Sequence, residues 1–158
     1  MKIFIYTDGA ASGNPGPGGY GVVMISGKHR KELAQGFRLT TNNRMELLAV
    51  IVALESIKND GADVLVTSDS KYVVDSVEKA WVFSWVKKGF KGKKNSDLWR
   101  RFLVVYKKHT IKFEWVKGHN NHTENERCDA LAVHAASKES LPLDKGYEDF
   151  INSNKGLL

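Results

Sequence analysis

Four acidic residues stand where they could act together. Asp8 follows one apolar strand pattern and precedes Gly9, and Asp69 follows another, Val64–Thr67. Glu46 lies in the first turn of a helical pattern, and Asp129 lies early in the last one. Acids at strand ends and helix starts can converge on one edge of an open α/β sheet. Carboxylates a few ångströms apart cannot all stay ionised without a compensating cation. Hard oxygen ligands select Mg²⁺ or Mn²⁺. Two such ions, roughly 3.5–4 Å apart, can activate a water and stabilise the leaving oxygen of a phosphodiester. Each acid also has a plain structural use. Asp8-Gly9 reads as a turn dipeptide, and Glu46 as the capping-box partner of an Asn43 N-cap. Asp69 reads as a helix N-cap, and Asp129 as a complement to the helix dipole or a partner of Arg127.

Other chemistries lack their residues. No Cys/His cluster has zinc spacing, and the glycine-rich segment Gly13–Gly21 lacks the Lys-Ser/Thr of a P-loop. No Gly-x-Ser-x-Gly is present. The segment Gly118-His119-Asn120-Asn121-His122 precedes the Asp129 helix. A loop histidine beside a metal centre can shuttle a proton, or else bond a loop carbonyl. His119, next to Gly118, is the stronger candidate of the two.

The charge is concentrated. Between Lys87 and Lys108 stand nine Lys/Arg and one acid, so this segment carries +8 in a chain whose total is +6. Trp81, Phe83, Trp85, Phe90 and Trp99 accompany it. Basic side chains suit phosphates and flat rings suit sugars or bases, so a polyanion partner is implied. A solubilising surface over core tryptophans is the plainer reading.

The elements that must hold these residues follow from hydrophobic period. Lys2–Thr7, Tyr20–Ser26, Glu32–Leu39, Val64–Thr67 and Ile111–Val116 read as strands. Arg44–Ile57, Ser70–Glu78, Asp97–Lys108 and Glu124–Lys138 read as helices. Gly9–Gly21 reads as a turn-rich segment and Lys87–Ser96 as an exposed loop. The order β-β-β-α-β-α-α-β-α predicts one mixed sheet covered by helices. The catalytic unit is expected over residues 1–140. The tail, 141–158, is helix-poor in composition, and it either packs locally through Tyr147 and Phe150 or frays.

With 158 residues, 42% hydrophobic and 27% charged, the chain has the make-up of a folded domain and not of a disordered one. The longest apolar run, Leu47–Leu54, is far short of a membrane helix. One cysteine, Cys128, and no visible signal peptide give the expectation of a reducing, cytoplasmic setting without membrane attachment.

The sequence resembles type 1 ribonucleases H. The resemblance rests on Tyr6-Thr7-Asp8-Gly9, Gly13-Asn14-Pro15-Gly16-Pro17-Gly18-Gly19-Tyr20-Gly21 and Thr40-Thr41-Asn42-Asn43-Arg44-Met45-Glu46-Leu47. It continues through Ser68-Asp69-Ser70-Lys71-Tyr72-Val73, Trp115-Val116-Lys117-Gly118-His119 and Glu124-Asn125-Glu126-Arg127-Cys128-Asp129, spanning about residues 2 to 138. It implies a sheet of three antiparallel and two parallel strands flanked by helices. It also implies an endonuclease that cuts the RNA strand of RNA–DNA hybrids, leaving 5′-phosphate and 3′-hydroxyl ends. Asp8, Glu46, Asp69 and Asp129 would then hold two Mg²⁺ ions, with Mn²⁺ able to substitute, and His119 would be the mobile catalytic histidine. Asn14, Thr41 and Arg44 would hold a DNA phosphate, and Asn42 would meet ribose hydroxyls in the minor groove. Trp81, Trp85, Lys87 and Lys88 would belong to a basic protrusion that grips the DNA strand of a hybrid bound by a monomer. Lys71 stands where many members carry Gln and becomes a phosphate contact. Thr123 replaces a common Pro.

Overall fold

A computed structural model of the chain describes residues 2–118 and 122–155. Three strands come first: β1 (Lys2–Ala11), β2 (Gly16–Ser26) and β3 (His29–Thr40). They are followed by α1 (Asn42–Glu55), β4 (Asp63–Ser68), α2 (Lys71–Glu78), α3 (Trp81–Lys87), α4 (Ser96–Tyr106), β5 (Thr110–Trp115), α5 (Thr123–Ala136) and α6 (Lys145–Lys155). The sheet order is β3-β2-β1-β4-β5. The first three strands pair antiparallel, whereas β4 and β5 run parallel to β1. This is the mixed five-stranded sheet that the sequence predicts.

β1 and β4 are central strands, and Ile5, Val64 and Val66 are essentially fully buried. α1 explains its own burial pattern: Met45, Leu47, Ala49, Val50, Ile51, Ala53 and Leu54 have no exposed surface, so nearly every side of the helix is covered. Trp99 and Phe102 of α4 complete this core, with Phe102 stacked toward Phe113 of β5.

Four local expectations differ from the structure. The glycine-rich segment is strand over most of its length, with β1 and β2 paired from Phe4–Ile25 to Ala11–Gly18. The glycines admit a helix rather than make a turn: a Cβ on Gly21 would collide with the Cys128 carbonyl of α5. The N-cap of α1 is Thr41, whose Oγ1 accepts from the Arg44 N–H at 3.3 Å, in place of Asn43. Trp81–Lys87, unassigned from sequence, forms helix α3, and the predicted exposed loop Lys87–Ser96 begins with a tight turn in which Phe90 is buried at φ 59°. Finally, the tail expected to be helix-poor contains α6, held to β3 by the Arg38–Glu148 ion pair at 2.8 Å.

Candidate active site

Asp8 sits within β1, opposite Gly21 of β2. The next residue lets α1 close on the strand. A Cβ on Gly9 would overlap the Met45 backbone and lie 2.5 Å from the Glu46 nitrogen. That contact sets Glu46 beside Asp8. Asp69 follows β4, the parallel neighbour of β1, so its carboxylate emerges on the same sheet edge. Ser70, not Asp69, caps α2, accepting from the Val73 N–H at 3.2 Å. Asp69 is therefore not required as the N-cap.

Ligand atoms of Asp8, Glu46 and Asp69 all lie within 4.8 Å of one another. Asp129, from α5, lines the same cleft of about 390 Å³ but stands outside that tight trio. Asp8 and Glu46 are 8% and 9% exposed. Burial pushes the Asp8 carboxyl up to about 7, and the charge of Asp69 adds to the rise. The Gly9 N–H, 2.9 Å from Asp8 Oδ1, pulls the other way, as does a hydrogen bond from Glu46. Burial also raises Glu46 well above the carboxylate range, reinforced by Asp8 and Asp69. Glu46 Oε2 is buried without a hydrogen-bond partner. Crowded acids and an orphaned carboxylate oxygen together fit a hard divalent cation.

Trp115 closes one side. Its indole Nε1–H donates to the Asp69 carbonyl at 3.0 Å, and its ring carries the Lys71 ammonium at 4.8 Å. Trp115 was not among the residues singled out from sequence. Its position at the end of β5, just before Gly118-His119, was the signal that could have found it. Lys71 lines the cleft with the acids. His119 lies outside the described residues. His122, the N-cap position of α5, places its ring 5.5 Å from that of Tyr6.

The residues expected to meet substrate fall on two sides. Asn14 Oδ1 accepts from the Asn42 N–H at 2.9 Å, and Asn42 Oδ1 accepts from the Ala11 N–H at 2.5 Å. Both amide oxygens are thus used internally, which leaves the amide N–H groups as donors on the surface. Arg44 departs from the expectation of a phosphate contact. It is 3% exposed, and Asp97, Asp144 and Asn95 take all of its N–H groups. Its geometry is that of an internal clamp. On the far side, Trp81 is 45% exposed beneath the Lys79 ammonium, and Trp85 packs edge-on against Trp99 with Lys93 over its face. Lys87 and Lys88 are exposed at the end of α3.

Fold and site together define a carboxylate-centred hydrolase of ribonuclease H-like architecture. The family model for RNase H matches residues 1–137, and the chain belongs to that family. It is 57% identical to the ribonuclease H of Desulforamulus reducens over 90% of this chain and 92% of that one. It is 56% identical to the ribonuclease H of Shewanella amazonensis over 93% and 96%. Among solved structures it is similar to LC9-RNase H1, a type 1 RNase H with the type 2 active-site motif. The TM-score there is 0.77 at 32% identity, over 94% of this chain and 80% of that one. It is also similar to LC11-RNase H1 in complex with RNA/DNA hybrid, with a TM-score of 0.61 at 28% identity over 85% and 96%.

Proposed function

We propose that the protein is an endonuclease that hydrolyses the RNA strand of RNA–DNA hybrids, acting as a cytoplasmic monomer and leaving 5′-phosphate and 3′-hydroxyl ends. The observation that carries this reading is the convergence of Asp8, Glu46 and Asp69 within 4.8 Å beside Lys71 and the Trp115 ring it covers. Asp8, Glu46, Asp69 and Asp129 would hold two Mg²⁺ ions, or Mn²⁺ in their place. Bound there, such ions supply water activation and charge stabilisation at the leaving oxygen.

The protein's own groups do the rest. Burial and the neighbouring charge of Asp69 hold Asp8 and Glu46 toward their protonated forms, and a bound cation would favour the ionised carboxylates that would hold it. Asn14, Thr41 and Asn42 present short polar donors to phosphate and ribose oxygens. Such contacts distinguish strands through the 2′-hydroxyl and read little base sequence. Lys71 offers its ammonium to a phosphate at the cleft, while Trp81, Trp85, Lys87 and Lys88 grip the DNA strand. His119 moves a proton near the leaving group.

A uniformly labelled RNA–DNA hybrid, tested beside RNA–RNA and DNA–DNA duplexes with and without Mg²⁺, decides the reading. Internal cuts confined to the RNA of the hybrid support it. Stepwise removal from an end, or equal cutting of the duplexes, would overturn it. Asp69→Asn nearly abolishes cleavage while hybrid binding survives; undiminished cleavage in Mg²⁺ would sink the metal assignment.

A further inference from the structure

The family match ends at residue 137, and α6 lies beyond it. Even so, α6 is locked to the start of α1. Arg44 Nε and Nη2 donate to Asp144 at 2.8 and 3.0 Å, and Thr40 Oγ1 donates to the same carboxylate at 2.7 Å. Arg44 Nη1 and Nη2 donate to Asp97 at 2.9 and 2.8 Å. Gly146 passes so near this pair that a Cβ there would overlap the Asp97 carboxylate. One turn later, Glu148 accepts both arms of Arg38 at 2.9 and 2.8 Å. Bidentate guanidinium–carboxylate pairs of this kind fix orientation as well as position.

With that end anchored, the helix presents another surface. Gly146, Phe150 and Ser153, at helical spacing, line a groove of about 640 Å³. Lys93, Lys94, Asn14 and Asn42 line the same groove. Lys93 lies over the Trp85 ring at 5.1 Å, and among the described residues no ion pair of 4.0 Å or less joins Lys93 or Lys94 to an acid lining the groove. Asp97 and Asp149 also line the groove, the first paired with Arg44 at 2.8 Å and the second with Lys145 at 2.5 Å. Phe150 is 50% exposed. Uncompensated lysines, amide donors and an exposed ring in one groove fit a sugar–phosphate backbone.

We infer that α6 is a wall of the nucleic-acid groove, with Phe150 and Ser153 lying against the backbone of the DNA strand. The catalytic domain then takes part of its substrate footprint from a helix outside the family-matched segment. This rests on the hybrid-nuclease reading, which assigns Asn14 and Thr41 in the groove to a phosphate of the DNA strand. Arg44 is the anchor that places α6 there.

The test uses the full chain carrying Asp69→Asn, so that hybrid binding is measured without cleavage. Ser153 is exposed, and its replacement leaves the melting temperature unchanged. Ser153→Glu weakens hybrid binding about threefold at low salt and Ser153→Lys tightens it about twofold, and both effects fade at high salt. Phe150→Ala weakens binding about threefold with less salt dependence. A hybrid with a methylphosphonate DNA strand removes the Ser153 charge effects; their persistence there would overturn the assignment to that strand. Binding within about 1.3-fold of the parent for all three variants, with Lys87→Ala/Lys88→Ala still weakened, would overturn the role of α6 alone. Were the lysine pair silent as well, the hybrid reading would fall and this inference with it.

Discussion

Glu46 of α1 and Asp8 of β1 bring their carboxyls within 4.8 Å of each other and of Asp69, and both are held well above the ordinary carboxylate range. Burial is the first cause, and the neighbouring charge of Asp69 strengthens it. A site of this kind is strained when it is ionised and empty of cations. The strain gives a direction to its pH dependence.

A carboxyl whose folded-state pKa is raised stabilises the fold at low pH and loses that contribution as pH climbs. For Asp8 the loss runs from the ordinary value of 3.8 through about 7. Without divalent metal, Asp8→Asn therefore stabilises the protein at pH 8 by about 1–3 kcal/mol, and the gain shrinks toward pH 5. Thermal unfolding in EDTA at both pH values measures it. Equal stabilisation at pH 5 and pH 8 would contradict the raised Asp8 carboxyl.

Adding Mg²⁺ at pH 8 raises the melting temperature of the parent, because the ion binds the folded state and relieves the same repulsion. The rise is absent in Asp8→Asn/Asp69→Asn, which lacks two of the three clustered acids. A thermal shift of equal size in parent and double variant would place the ion elsewhere.

Trp115 holds the Asp69 carbonyl through its indole N–H at 3.0 Å. Trp115→Phe keeps a ring for Lys71 and removes the donor. Outer partners of this sort are worth about tenfold or more in metal affinity. The Mg²⁺ concentration needed for half-maximal cleavage rises in Trp115→Phe, while the affinity for hybrid holds steady. A change in hybrid affinity at unaltered metal requirement would assign Trp115 to substrate instead.

Asp144 is 6% exposed and takes two hydrogen bonds from Arg44 and one from Thr40. Removing one side of a buried pair leaves the other charge without compensation. Asp144→Ala costs about 3 kcal/mol in urea unfolding, with Asp97 retaining part of the Arg44 interaction. A loss under about 0.5 kcal/mol, in the range of an exposed pair, would mean that the clamp is not buried in solution.

Lys87→Ala/Lys88→Ala weakens hybrid binding more at low salt than at high salt, and lowers the slope of log affinity against log salt by about two. A loss that ignores salt would point to folding rather than to phosphate contact.

The strand and helix order was legible because each element carries its own hydrophobic period, and the four acids were legible because they interrupt or border those periods. Other features were not, for reasons that lie in packing. The Gly9–Gly21 stretch carries turn residues, but its glycines are emptied of side chains so that α1 and α5 can approach the sheet. The tail has too few apolar residues to announce a helix, and α6 depends on ion pairs with Arg38 and Arg44, far away along the chain. Trp115 reads as one more aromatic in a strand until its N–H is seen to reach Asp69.

By itself, the sequence determined which residues could bind a cation and which sheet would bear them, since residue type and local period are written in the chain. Only the tertiary structure decided that burial and crowding raise Glu46 and Asp8 together, that Asp129 stands apart from the tight trio, and that Arg44 faces carboxylates in place of phosphate. Desolvation and charge pairing depend on neighbours brought together from distant segments, and no local pattern records them.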